Sequence, residues 1–189
     1  MRRLFSRGLL AAAFALLLAG CLGAPEGIEP VRGFEADRYM GRWYEIARLD
    51  HRFERGLEQV TATYALNADG TVAVLNKGYD PAKGEWNEAA GKAKFVGPPD
   101  VGALKVSFFG PFYGAYNVID LDPDYRHALV VGPNRSYLWV LARSPSLPQE
   151  DLQRLVAKAR SLGFDTSTLV YVRQCAAGDG GADCKVAVR

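Results

Sequence analysis

Eight short segments rich in Tyr, Val, Thr and Phe follow one another from Trp43 onward, each ended by turn-forming residues. Segments of this kind are typical of β-strands, and connections this short favour antiparallel pairing between neighbours. Eight strands paired in chain order can close into an up-and-down barrel whose interior holds one small ligand. The predicted strands are residues 43–49, 60–66, 71–79, 85–96, 104–109, 115–121, 128–131 and 137–142.

One later segment has the period of an α-helix. We predict that it begins at a capping box formed by Ser146 and Gln149 and ends at Gly163. Its apolar stripe must be buried, most simply against the outer wall of the barrel, and a ninth short strand is predicted at residues 168–173. The fold class is therefore an all-β, eight-stranded antiparallel barrel with one C-terminal helix outside. The stripe consists of Leu152, Leu155, Val156, Ala159 and Leu162.

The N-terminus has the three parts of a secretory signal peptide. Three Arg residues precede an apolar run from Leu9 to Ala19, which is too short to span a bilayer as a helix. Residues 1–20 are therefore expected to be cleaved off, the alternative being an uncleaved membrane anchor.

The tetrapeptide Leu18-Ala19-Gly20-Cys21 resembles the lipobox of bacterial lipoproteins. This resemblance implies that Cys21 carries a diacylglyceryl thioether and an N-acyl chain, which together anchor a protein to a membrane. The alternative is an ordinary signal peptide with a chance cysteine. Leu22 after the cysteine resembles the pattern for sorting to the outer membrane. Residues 21–36, rich in Gly and Pro, are expected to form a flexible tether.

The net charge depends on this N-terminus. The full chain has 23 Lys plus Arg against 21 Asp plus Glu, a net charge of +2. Without Arg2, Arg3 and Arg7 the basic count becomes 20 against 21 acidic residues, a net charge of −1. A nucleic-acid partner is not expected, because such partners need a basic working domain. The length that remains suits one domain with a full core.

Three sequence landmarks occur in order along the predicted barrel. They are Gly41-Arg42-Trp43 at the first strand, Asn117-Val118-Ile119-Asp120 at the sixth, and the segment from Tyr137 to Arg143 at the eighth. Together they resemble the lipocalin family, and specifically its bacterial outer-membrane, apolipoprotein-D-like branch. The resemblance covers about residues 34–174, so the barrel domain is placed at residues 37–174.

The resemblance implies structural roles for three residues. Trp43 would plug the closed end of the barrel, and Arg143 would lie across its indole as a cation–π partner. Gly41 would allow the close turn into the first strand. These residues identify the fold and carry no chemistry.

The ligand pocket is predicted from the resemblance together with strand alternation. The matching positions in the family suggest Tyr64, Tyr116 and Trp139 as pocket-lining aromatics, the alternative being that each packs outward or against the helix. With Trp43 facing inward, Glu45 and Ala47 share its face by alternation. An inward carboxylate such as that of Glu45 binds a polar head group or pairs with an Arg.

Two further features have open interpretations. The aromatic turn from Phe108 to Tyr113 suits the barrel mouth, a membrane surface, a dimer contact or ordinary packing between strands. In the tail, residues 175–189, Cys175 and Cys184 are expected to form a disulfide, with free thiols or an intermolecular bridge as alternatives. Asp179 and Asp183 alone are too few ligands for calcium.

The resemblance implies a lipid-binding lipocalin at the outer membrane, which stores or transports fatty acids or lysophospholipids for membrane maintenance under stress. No nucleophile elbow, phosphate loop or metal motif is present in the sequence, so no catalytic residue, cofactor or metal is expected. The alternatives are an isomerase-like enzyme on the same fold and a structural envelope lipoprotein with a filled barrel. The family also allows a homodimer.

Overall fold

The computed structural model of the protein describes residues 23–175 and the backbone of residues 184–186. Eight antiparallel strands close into a barrel because β1 pairs with both β2 and β8, which confirms the predicted fold class. The strands are β1 (Gly41–Arg48), β2 (Glu58–Leu66), β3 (Val72–Asp80), β4 (Glu85–Phe95), β5 (Ala103–Phe109), β6 (Phe112–Leu121), β7 (His127–Val131) and β8 (Leu138–Ala142).

The two ends of the barrel differ. A one-turn helix, α1 (Ala36–Tyr39), enters β1 at the closed end, where Phe34, Tyr39 and Tyr125 pack with Trp43. The loops at residues 49–57, 81–84, 110–111 and 132–137 surround the opposite, open end.

Strand β1 does not alternate strictly. Trp43 belongs to the interior cluster, whereas Ile46 and Ala47 both belong to the cluster on the outer wall. The register between β1 and β8 shifts between Glu45 and Ala47, as a β-bulge requires. The prediction that Ala47 shares the face of Trp43 is therefore wrong, and the bulge turns Arg48 toward the Glu45 side chain.

Helix α2 (Gln149–Ser161) packs on the outer wall, as predicted. Leu152, Leu155 and Ala159 are buried in one cluster with Leu129 and Val140 of the barrel. The predicted capping box is wrong, because Pro148 occupies the N-cap and Gln149 is already the first helical residue. Gly163 follows the helix in the left-handed conformation, at φ +84°, as a C-terminal stop residue does.

The N-terminal segment differs from the predicted flexible tether. Ile28 and Phe34 are buried, and Val31 exchanges main-chain hydrogen bonds with Val118 and Gly102. Nearer the start of the segment, Arg135 donates a hydrogen bond to the main-chain oxygen of Glu26. The tether prediction therefore needs correcting from Glu26 onward, because this part of the chain follows the barrel wall.

After helix α2 the chain returns to the barrel. The predicted ninth strand, residues 168–173, is divided between the end of a 3₁₀ turn (Thr166–Thr168), β9 (Val170–Tyr171) and the start of β10 (Arg173–Cys175). Strand β9 pairs with β1, and β10 pairs with β11 (Cys184–Val186). Cys175 is disulfide-bonded, and the register places it opposite Cys184. That register suits the predicted Cys175–Cys184 bridge, which stays a prediction. No helix within residues 23–175 is long and apolar enough to cross a membrane.

The Gln174 side chain closes a gap between β1 and β2. Paired residues in these strands run only from Gly41 to Tyr44 on β1. Beyond them the Gln174 amide nitrogen donates to the main-chain oxygens of Glu45 (2.8 Å) and Val60 (2.9 Å). A buried side chain therefore satisfies two carbonyls that the strand ladder leaves open.

Candidate ligand-binding site

An apolar cavity occupies the barrel interior. The space between its wall atoms, together with open solvent at its mouth, is about 880 Å³. It extends from Phe34 and Tyr39 at the closed end to Phe53 and Phe108 near the open end. The four residues predicted to line the pocket, Glu45, Tyr64, Tyr116 and Trp139, all border this cavity. A concave, mostly apolar site with a few polar groups is the form that small-molecule sites take.

The closed end is sealed by a fully buried indole. Trp43 donates its Nε1 hydrogen to the main-chain oxygen of Tyr39 at 2.8 Å, and Arg143 stands over the indole ring from outside the cavity. Gly41, at φ +89°, begins β1 beside this plug, and an added Cβ there would lie 3.4 Å from the Arg143 guanidinium. The seal directs any ligand to enter from the opposite end.

Three tyrosine hydroxyls meet at the bottom of the cavity. The Tyr116 hydroxyl lies 2.7 Å from that of Tyr39 and 3.0 Å from that of Tyr64. Burial raises the pKa of all three phenols, so they stay neutral. Among the described residues, the three hydroxyl hydrogens serve two hydrogen bonds, which leaves one donor for a further acceptor.

A buried polar cluster lies higher on the wall. Arg48 donates from Nη1 to Glu45 Oε1 at 2.6 Å, and from Nη2 to the main-chain oxygens of Glu54 (2.7 Å) and Leu57 (3.3 Å). The Trp139 indole donates to Glu54 Oε2 at 3.0 Å. Glu45 is 3% exposed and Glu54 7%, so the cavity wall holds two carboxyl groups for one guanidinium.

Burial is the main cause that raises the pKa of both carboxyl groups. The charge of Glu54 adds to the effect of burial and raises the pKa of Glu45 to about 8, although Arg48 opposes the shift. The 2.6 Å contact with Arg48 nevertheless indicates an ionised Glu45. Both observations agree when the two carboxyl groups share one proton at neutral pH.

A set of stacked aromatic rings covers this polar cluster from the open end. The His51 ring stacks between Phe53 and Tyr137, at centroid distances of 5.3 and 4.7 Å, and tilts against Trp139. Burial and the nearby Arg48 charge lower the pKa of His51 to about 4. The histidine is therefore neutral at pH 7.

The aromatic turn lies at the open end. Phe109 and Phe112 are 81% and 79% exposed, so ordinary packing between strands does not describe them. Phe108 instead points into the cavity, over Gly91, where an added Cβ would lie 2.8 Å from its ring. Gly91 is thus the position that makes room for an inward Phe108.

The lipocalin-like domain family matches residues 34–174, which contain the whole barrel and helix α2. The chain is a lipocalin. It is 56% identical over 166 residues to the outer membrane lipoprotein Blc of Escherichia coli (strain K12), covering 87% of this chain and 94% of that one. It is 32% identical over 149 residues to apolipoprotein D of Mus musculus, covering 75% and 77%. Insecticyanin from the tobacco hornworm Manduca sexta, at 20% identity and a TM-score of 0.66 over 88% and 92%, shows likeness of fold alone.

Sequence patterns do not predict three of the site residues of this lipocalin. Arg48 is hidden by the bulge in β1, which changes its face. Glu54 lies in a loop, where no periodicity indicates direction. Tyr39 precedes the barrel in α1. The only signal for the polar cluster was Glu45 itself, because an inward carboxylate needs a donor nearby.

No group of three His, Cys, Asp or Glu side chains in the described part of this lipocalin comes close enough together to hold a metal ion. The cavity offers a ligand an apolar wall, tyrosine hydroxyls at the bottom and a carboxyl pair below the mouth.

Proposed function

We propose that this lipocalin binds a single-chain lipid, a fatty acid or lysophospholipid, inside the barrel and stores or carries it for membrane maintenance under stress. The observation that carries the proposal is the continuous apolar cavity between the tyrosine hydroxyls and the Glu54–Trp139 pair. An alkyl chain gains roughly 0.8 kcal/mol for each buried CH₂ group, so such a cavity favours a long chain.

The location is part of the same proposal. Relatives at 54–56% identity carry the name outer membrane lipoprotein, and the Leu18–Cys21 segment has the lipobox form. Cys21 lies outside the described residues. We propose that acyl chains on Cys21 hold the protein at the outer membrane, and the intact mass of the membrane form tests this. A free thiol on Cys21 would reject the anchor.

Two alternatives have less support. A structural lipoprotein needs a filled barrel, whereas the interior here is a cavity. An enzyme needs a nucleophile or a general base aimed at a substrate. The titratable groups lining the cavity are instead tyrosine phenols with raised pKa values and carboxyls already hydrogen-bonded to Arg48 and Trp139. A binding protein fits these observations better than a catalyst.

The test is to isolate the full chain under native conditions, extract it with organic solvent and identify released lipid by mass spectrometry. Near-stoichiometric lipid is expected, and labelled lysophospholipid should bind the emptied protein. Trp139→Ala should weaken binding about tenfold or more, because it removes wall area and frees the Glu54 carboxyl. Trp86→Ala, half-exposed and away from the cavity lining, is the matched control. Absence of both extracted lipid and binding would reject the proposal.

A further inference from the structure

We infer that the polar end of the cavity recognises an ammonium group on the head of the bound lipid, in preference to a free carboxylate. This inference rests on the proposed lipid-binding function and narrows its ligand class. It starts from an imbalance in the cavity wall, where Glu45 and Glu54 face the single guanidinium of Arg48.

The hydrogen bonds of the cluster leave acceptors unused. Glu45 Oε1 is taken by Arg48, and Glu54 Oε2 is taken by Trp139. Glu45 Oε2 and Glu54 Oε1 accept no hydrogen bond from any residue in the described ranges, although both side chains line the cavity. The donors of Arg48, in contrast, are not offered to the cavity: Nη2 is used by two main-chain oxygens, and Nε is buried without a hydrogen-bond partner among the described residues, on a side chain outside the cavity lining.

An ammonium group matches this set of acceptors. It offers three hydrogen-bond donors and no acceptor, whereas a carboxylate offers acceptors alone. A carboxylate head would also bring a third carboxyl group to one guanidinium, which is unfavourable in a buried site. An arriving ammonium stabilises the ionised form of both carboxyls, so the proton that the pair holds is released to solvent.

The surroundings of the carboxyls favour a cation as well. Trp139 and Phe53 line the cavity beside Glu54, and aromatic faces attract ammonium groups. His51, whose ring tilts against Trp139, is neutral at pH 7 and adds no competing positive charge. With its head held here, the alkyl chain of the ligand would point down toward Tyr64 and Tyr116, along the apolar wall.

The test uses the full chain and three probes of equal chain length: dodecylamine, dodecanol and dodecanoate. Isothermal titration calorimetry at pH 7 in two buffers of different ionisation enthalpy measures both affinity and proton release. Dodecylamine is expected to bind about tenfold or more tightly than dodecanoate, since one charge-assisted hydrogen bond exceeds 1.4 kcal/mol. Its binding should release up to about one proton per molecule, and dodecanol binding should release none.

Glu54→Gln is the informative variant, because the new side chain keeps an oxygen for the Trp139 indole and removes one carboxyl. It should reduce the preference for dodecylamine over dodecanoate about tenfold. Glu85→Gln makes the same change of charge at the open end on an exposed residue outside the cavity lining, and should leave the preference unchanged.

The possible results distinguish a failure of ammonium recognition from a failure of lipid binding, on which the inference rests. Equal or tighter binding of dodecanoate by the unmodified protein overturns the inference and leaves lipid binding intact. An unchanged preference in a folded Glu54→Gln protein also overturns it, and circular dichroism establishes the folding. Should that variant not fold, the ranking of the probes on the unmodified protein decides. Failure of all three probes to bind, with no extractable lipid, rejects the proposed function itself.

Discussion

The guanidinium of Arg143 stands over the indole of Trp43, with Cζ 4.0 Å from the ring centroid. The same side chain donates to the main-chain oxygens of Arg38 (2.7 Å) and Arg42 (2.9 Å). One residue just after β8 therefore joins helix α1, the start of β1 and the plug of the barrel.

Replacing Arg143 by Lys should lower the free energy of unfolding by about 1–3 kcal/mol, although the charge is kept. Lysine lacks the planar fork that reaches two carbonyls while covering a ring. Chemical denaturation monitored by tryptophan fluorescence measures the loss. Arg42→Lys, an exposed neighbour, is the control and should change stability by less than about 0.5 kcal/mol. Equal effects of the two substitutions would contradict the proposed structural role of Arg143.

The carboxyl pair predicts how stability depends on pH. Burial raises the pKa of Glu45 from its ordinary value of 4.5 to about 8, so the folded protein binds more protons than the unfolded chain between these values. This contribution to stability is present below about pH 4.5 and is lost as the pH rises toward about 8. His51, with a lowered pKa, acts in the opposite direction between about pH 4 and 6.5.

The useful window is therefore pH 6.5 to 8. There the unfolding free energy should fall with rising pH, by up to about 1.4 kcal/mol per pH unit for one proton. Glu54→Gln should flatten the slope, because Glu45 then pairs with Arg48 without a competing carboxyl. Glu85→Gln should keep the slope of the unmodified protein. A rising or flat profile for the unmodified protein would show that the pair holds no proton.

Gln174 should be sensitive to loss of its amide hydrogens. Gln174→Glu keeps the shape of the side chain but removes the donors to the main-chain oxygens of Glu45 and Val60. The substitution should lower the free energy of unfolding by roughly 2–4 kcal/mol. Thermal or chemical denaturation measures this cost. Gln153→Ala, an exposed position on helix α2, serves as comparison and should be nearly neutral. Similar melting temperatures for the two variants would contradict a stabilising role of the two Gln174 hydrogen bonds.

The tyrosine chain allows a graded test. Tyr116→Phe removes two hydrogen bonds at the bottom of the cavity, whereas Tyr64→Phe removes one. The first substitution should destabilise by about 1–3 kcal/mol and the second by about half as much, because fewer buried hydroxyls lose their partner. Denaturation of both variants in parallel provides the comparison. A larger effect for Tyr64→Phe would mean that Tyr116 is not the centre of the chain.

The strands could be predicted from sequence because each is a short β-branched or aromatic segment with turn residues at its end. The inward aromatic residues Tyr64 and Trp139 followed from the family resemblance, consistent with regular alternation in β2 and β8. Arg48 could not be predicted, since one extra residue in a bulge reverses every later side chain of a strand. Glu54 and Gln174 depend on contacts across the fold, which neither periodicity nor local spacing indicates.

The hydrogen bonds of Gln174 across the gap between β1 and β2 also affect when the barrel can be completed. Its two acceptors lie 129 and 114 residues earlier in the chain, on the first two strands of the barrel. The contact between β1 and β2 therefore lacks these hydrogen bonds until Gln174, near the end of the barrel domain, has been made. A fragment that ends before Gln174 lacks these two hydrogen bonds, so we expect the barrel wall to close fully only once residue 174 has been made.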